Sequence, residues 1–511
     1  MPGQISRFVN YFSRSAVRAR NNLGVVLGSE REGIRKTRNK HLEVYDAYYE
    51  GSQYDKLPKW DDSHDKSGEF IPVRKRQPRI IYNFAKVLCD RVSAKMVGQD
   101  TFPKLKVEDD PDTSEFIRMI VKASKIRSKV MDAIKLMCLS GSSFLRYYLV
   151  DGSIVLETFH ANYCYPVFKP NGKLQSLTIK YVFDDQADLD PNGNPKKKWY
   201  KLELTENSDI LYDTPDYQFE SNPTFNVVGQ SDHNLGFVQG EWFRTSVDKF
   251  SPDGNSLIAD ILDFIDEINY SLSQSSQAVG YGQEPQLTVS GMDVDEIDKL
   301  IKSSSKAWNL GRQGKAEFVE TNLEGVKVAN ELRDKIRLGI QDVARLLLLD
   351  PEKMVGHAQS GEAMKVLHGP MIELIGEIRP LVEDALIELV TKIAITVLKV
   401  NAEGQQTDIM IPEGWQPQSL DVVAHWPQIF PMTLDDLLKK SQVAIGLAAA
   451  RIMSEEWATG FMAQDVGVED VQEELDKLAA QPVMSPFGPV SSEGGGLAPV
   501  PGFEQGAQSG K

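Results

Sequence analysis

A change of hydrophobic period limits what this chain can fold into more than any other feature. Early in the sequence, apolar residues recur every three or four positions, at Ile5, Phe8, Val9 and Phe12 and again at Ile81, Phe84, Val87, Leu88 and Val92. That is the spacing of one face of a helix. From Phe144 to about Val247 the repeat shifts towards two. "FLRYYLVDGSIVLETF" reads as two strands around Asp151-Gly152, "LQSLTIKYVFDD" as another, and Asn192-Gly193 precedes a further alternating run. Asp-Gly and Asn-Gly supply the positive φ angles that tight hairpins require. Helical spacing returns after residue 254. A β-rich block enclosed by helices predicts an α+β fold.

Beyond that block the pattern predicts a helical hairpin with an elaborated tip. In residues 255–281, Ile258, Ile261, Ile265, Ile268 and Leu272 step by three and four, giving a narrow apolar seam along a rod about 40 Å long. Residues 282–321 hold a strand-like "PQLTVSG", an acidic helix start with Asp293, Asp295, Glu296 and Asp298, and "AWNLGRQGKAEFVET". A second helix, 322–349, places Leu332, Ile336, Ile340, Val343 and Leu347 on one face. The polar, glycine-containing stretch "DPEKMVGHAQSGEAMKVLHGP" interrupts the helices at 350–370. A long helix then runs to about Val400, and its Pro370 and Pro380 are expected to kink or break it. Residues 401–431 read as strand and loop, and 433–480 as two or three short helices. From 481 onward Pro, Gly and Ser dominate, the composition of a disordered tail.

At 511 residues the chain is long enough for about two to four substructures. Hydrophobic content of 41% with 25% charged residues is globular composition. The most apolar region, 371–400, is broken by seven charged residues from Glu373 to Lys392, so it falls short of the roughly 18 apolar residues of a membrane span. Three unpaired cysteines, Cys89, Cys138 and Cys164, argue against a disulfide framework and fit a reducing cytoplasm. The Arg- and Ser-rich N-terminus lacks the apolar core of a secretory signal and matches an organellar transit segment in composition only. Net charge is −16, yet Arg7, Arg14, Arg18, Arg20 and the "VRKRQPR" run at 73–79 are basic. A chain so acidic overall is poorly suited to gripping DNA across its surface, because such affinity comes from neutralising phosphates.

Catalytic and metal-binding patterns are scarce. Seven histidines form no His-Glu-x-x-His, and His357 and His368, eleven apart, have no evident third ligand. "GRQGKA" at 311–316 loosely resembles a phosphate loop but lacks its spacer and the Ser or Thr after Lys. There is no Gly-x-Ser-x-Gly elbow. The acidic pairs Asp61-Asp62, Asp109-Asp110 and Asp184-Asp185 read as solvated turns. No cofactor is expected.

The order of parts carries a resemblance that no single motif does. "HLEVYDAYYEG" leads to "RIIYNFAKVLCDRVSAKMVGQ" and the β block. "LIADILDFIDEINYSLSQSS" leads to "PQLTVSG", then "SGEAMK", and finally "LDDLLKKSQVAIGLAAARIMSEEWATGFMAQDVGVEDVQEELDKL". Over roughly residues 40–480 the chain resembles the portal proteins of tailed bacteriophages. The resemblance implies a homo-dodecameric ring at one capsid vertex, with DNA entering and leaving through its axial channel. It implies a wing (1–254), stem helices (255–281 and 322–349), a clip (282–321), a tunnel loop (350–362), a long helix returning to the wing (363–432) and a helical crown (433–480). Met354, Val355, Gly356, His357, Gln359, Ser360 and Gly361 would then line the channel, and the acids at 293–298 would face the motor or adaptor. The stem seam would pack against a neighbouring rod.

The same resemblance implies as partners double-stranded DNA, the terminase large subunit, major capsid protein, scaffold and head–tail adaptor proteins, with no membrane. The protein would reside in the virion after assembly in the host cytoplasm. Two other classes compete: an enzyme acting on nucleic acid, for which the motifs are missing, and a monomeric assembly adaptor or scaffold. The basic segments at 1–40 and 73–79 match no role in the resemblance and are candidates to touch capsid protein or DNA.

Overall fold

The computed structural model describes residues 28–466 and 475–477, apart from 99–100, 109, 219–222, 249–250, 284–285, 291–314, 320–323, 347–367, 405–406, 410, 412–414, 428 and 430–433. Two compact units divide the described chain, one reaching Ile429 and one made from the residues after it.

In the first unit, helices come first: α1 (Gly28–Glu50), α2 (Phe84–Val97), α3 (Pro111–Ala123) and α4 (Ile126–Ser140). Asn83 caps α2, its side chain accepting the Lys86 N–H. Asp110 caps α3 in the same way for Thr113, with Pro111 in the first turn, where a missing N–H costs nothing. The short strand β1 (Lys104–Val107) lies between α2 and α3.

The expected β block is present. A three-stranded antiparallel sheet has β2 (Ser142–Val150) between β3 (Ser153–His160) and β9 (Gly240–Arg244). A five-stranded antiparallel sheet follows chain order through β4 (Cys164–Phe168), β5 (Leu174–Leu189), β6 (Pro195–Thr205), β7 (Ser208–Tyr212) and β8 (Val227–Asp232). The β2–β3 turn takes positive φ at both Asp151 and Gly152. The second hairpin differs from expectation. Only Gly193 is left-handed, and the Asp190 side chain holds the N–H groups of Asn192 and Asn194, each at 2.8 Å. Pro170-Asn171-Gly172 repeats that turn between β4 and β5. Asp184 and Asp185 are likewise not in a turn but on β5, opposite Lys197 and Lys196.

The three-stranded sheet is buried on both faces. Leu145, Tyr147 and Phe243 join a helical core with Val92, Ile117, Ile134 and Leu389, while their neighbours Phe144 and Trp242 join a second core with Leu177, Ile179, Leu202 and Leu204. Strand side chains alternate between faces, so one strand serves two cores. This explains why "SSFLRYYLV" shows little polar alternation.

The hairpin follows: a 3-10 turn (Ala259–Ile261), α5 (Leu262–Gln283), the paired strands β10 (Gln286–Ser290) and β11 (Lys315–Val319), and α6 (Glu324–Ala344). The long helix α7 (Gly369–Ala402) starts with Pro370 in its first turn and continues unbroken through Pro380. The expected break is absent because the buried stripe Ile375, Ile378, Val382, Leu386 and Leu389 packs on both sides of Pro380. Strand β12 (Val422–His425) returns to pair with β1. The second unit contains α8 (Leu434–Ala449) and α9 (Glu455–Val466).

Candidate functional site: the helical hairpin and its anchors

The seam on α5 packs within its own subunit. Ile258, Ile261, Ile265 and Ile268 are buried in the helical core, and Leu272 packs against that core. On α6 the predicted face splits: Ile340 is buried and Ile336 half-buried, whereas Leu332 and Val343 are exposed. Within one chain the α5 stripe is therefore already covered by the helical core. Tertiary packing inside the chain uses that stripe first. The loop residues Met354, Val355, Gly356, His357, Gln359, Ser360 and Gly361 lie outside the described residues, as do Asp293, Asp295, Glu296 and Asp298.

What bounds the loop is described. Leu346 before it and His368 and Met371 after it are buried. Arg345 pairs with Glu377 at 2.7 Å, tying the end of α6 to the start of α7. Burial pushes the His368 imidazole below its ordinary value, helped by the positive charges of Lys95 and Arg91.

The other face of α5 is polar and holds a strap, residues 51–83. Tyr48 donates to Asp266 at 2.8 Å, and Tyr54 donates to the second carboxylate oxygen. Burial, reinforced by that carboxylate, raises both phenols above their ordinary value. Asn269 accepts the Tyr82 N–H at 2.7 Å, and Ser273 accepts the Ile80 N–H at 3.0 Å. Tyr270 donates to the Arg74 and Arg76 carbonyls. Asn269 and Ser273, one turn apart and fully buried, were the missed signal: polar residues on a core-facing helix need fixed partners.

These bonds account for part of the basic run. Arg76 is buried, donating to the Ile71 and Trp60 carbonyls, and Arg74 pairs with Glu267 at 2.6 Å. The aromatic "YYEGSQY" is likewise internal at Tyr54, which packs with Trp60 and Tyr270. Arg38 joins α1 to the β block through a two-nitrogen bond to Asp253 and through the carbonyls of Cys164 and Ala161, at 2.8 and 2.9 Å. Asp253 also accepts from Ser142. Behind it Gly141 and Gly254 meet backbone to backbone: a Cβ on Gly141 would lie 2.1 Å from the Gly254 carbonyl oxygen. At the opposite edge, Lys392 of α7 donates to Glu241 of β9 at 2.5 Å. Burial pushes the Glu241 carboxyl up against the pull of that ammonium.

Arg38 with Asp253 and Lys392 with Glu241 are buried charges matched by partners of opposite sign, and Arg76 is held by backbone carbonyls, contacts that fix distant elements to one another. Among the described residues no group of His, Cys, Asp and Glu is placed to hold a metal ion, and no helix is long and apolar enough to cross a membrane. Together the described residues form an α+β body carrying a helical hairpin. Its sequence matches the family described as phage portal protein, SPP1 Gp6-like, over residues 32–484, and the chain belongs to that family. No curated protein matches it. Among solved structures it is similar to one described as the neck of a native GTA particle computed with C12 symmetry. That likeness has 10% identity over 74% of this chain and 90% of the other, with a TM-score of 0.37.

Proposed function

We propose that twelve copies of this chain form a ring at one capsid vertex, a passive conduit through which the genome is packaged and later leaves. The family match, spanning residues 32–484, is the observation that carries this reading. The β block serves as wing, α5 and α6 as stem, residues 282–321 as clip, 350–362 as tunnel loop and the C-terminal helices as crown. The tunnel loop, with Met354, His357 and Gln359, faces DNA without fixed positive charge, as a channel that must release its cargo requires. The clip acids face the terminase during packaging and the adaptor proteins afterwards, while the wing meets capsid protein and scaffold. Hydrolysis of ATP belongs to the terminase, so the chain itself needs no cofactor.

Electron microscopy of the purified protein tests the ring directly. Top views should show a central hole with about twelvefold symmetry, and particles near twelve times 57.1 kDa. Monomers that persist after scaffold and capsid protein are added would refute the ring. Steady ATP hydrolysis by the pure chain would refute the passive conduit.

A further inference from the structure

The basic run at 73–79 is largely engaged inside the chain, but a second cluster is not. Residues 115–129 hold five cations, Arg118, Lys122, Lys125, Arg127 and Lys129, against one acid, Glu115. They span the corner where α3 turns into α4. Glu115 already holds Arg118, at 2.6 and 2.7 Å. Lys122, Lys125 and Arg127 are exposed and Lys129 half-buried, and among the described residues none of the four forms an ion pair. Arg127 lies over the Phe102 ring, a contact that leaves its charge unneutralised. A chain of net charge −16 thus keeps a local positive excess at one corner.

Local structure does not account for these cations. Arg118 and Lys122 lie toward the C-terminal end of α3, where the helix dipole favours them. Lys125, Arg127 and Lys129 lie at the opposite kind of end. Lys125 precedes α4 with a left-handed φ of 52° and caps nothing, and no acid stands in the first turn. Cations there are repelled by the helix itself, and lysine is a poor residue for that backbone conformation. Asn or Asp would serve folding better. Charges that disfavour the fold and lack an internal partner point to an external one.

The surface around them narrows the class of that partner. Protein partners are held by aromatic and arginine anchors in apolar pockets, whereas phosphate backbones are held by cations and hydroxyls. Among the described residues no large apolar side chain is exposed between Tyr82 and Val150, and the Ser128 side chain is exposed amid the cations. We propose that Lys122, Lys125, Arg127 and Lys129 bind the phosphate backbone of double-stranded DNA that is not passing through the channel. Its place off the channel rests on the conduit reading above, since a path that must release its cargo is better served without fixed positive charge.

Binding of the full chain to a covalently closed circular duplex tests this, because a closed circle cannot thread a channel. Wild type is compared with the triple variant Lys122→Gln, Arg127→Gln, Lys129→Gln over a range of salt, with thermal melting as the folding control. The variant should melt no lower than wild type, since it removes repulsion and no ion pair. It should bind the circle about tenfold more weakly at low salt, with a slope of log K against log salt shallower by about 2 to 3. Wild type that ignores the circle would overturn the proposal, as would a variant with wild-type affinity and slope. A variant that loses polyglutamate binding but keeps the circle would assign the corner to an acidic protein segment and overturn it too. Binding of linear duplex alone would put the contact in the channel, again against the proposal. Electron microscopy of the same samples separates the two readings. Rings that ignore the circle strike this corner alone, whereas binding by a chain that never forms rings strikes the ring reading.

Discussion

Lys392 on α7 and Glu241 on β9 form a nearly dry ion pair at 2.5 Å, joining residues 151 positions apart. The Lys392 carbonyl also accepts a bond from Tyr147 at 3.1 Å, so long helix and sheet are locked at one point. Removing one partner strands the other charge. Lys392→Met should cost about 3 kcal/mol in denaturant unfolding. Lys392→Met with Glu241→Leu should recover most of that loss, because two apolar groups leave no unpaired charge. A double variant as unstable as the single one would show that the pair is not what holds α7.

Arg38 presents a fork to Asp253 and two backbone carbonyls. Lysine keeps the charge but cannot fill that geometry. Arg38→Lys should therefore loosen α1, with a stability loss of about 2 kcal/mol and faster protease cleavage before residue 50. Equal cleavage rates would show that α1 is held elsewhere.

Two glycines share a φ of +83° but differ in surroundings. At Gly172 an added Cβ meets nothing within 4 Å, whereas at Gly141 it meets backbone. Gly172→Ala should cost about 1 kcal/mol, the backbone penalty alone. Gly141→Ala should cost about 3 kcal/mol or more, since the Gly254 segment must move. Thermal melts of the two variants separate conformational strain from close approach.

The start of α7 should respond to mild acid. The unfolded His368 imidazole takes up a proton near 6.5, and the folded one at lower pH. Between those values only the unfolded chain binds the proton, so stability is complete above the ordinary value and falls as pH drops below it. A positive charge at a helix N-terminus is unfavourable in any case. His368→Asn, which removes the titrating ring and places a residue favoured at a helix N-cap, should flatten the stability profile from about pH 7 to about pH 5. An unchanged slope would assign the acid response to other groups.

The sequence made the α+β order legible because periodicity is local: a repeat of two or of three and four reports which element forms, and Asp151-Gly152 its turn. It also identified the residues of the α5 seam as buried. It did not show that their own chain covers them, nor that Arg76 and Tyr54 are buried while the exposed Arg74 pairs with Glu267. Pro380 reads as a kink or break because it lacks a backbone donor, and the sequence does not show that the apolar residues on both sides of it share one core.

The sequence by itself determined the kinds of element, their order and the family. Only the tertiary structure decided partners. Asp266 finds Tyr48 and Tyr54 more than two hundred residues earlier, Lys392 finds Glu241, and Gly141 finds Gly254. A side chain's period follows from the backbone it sits on, whereas the partner that makes burying its charge tolerable is set by how distant elements pack.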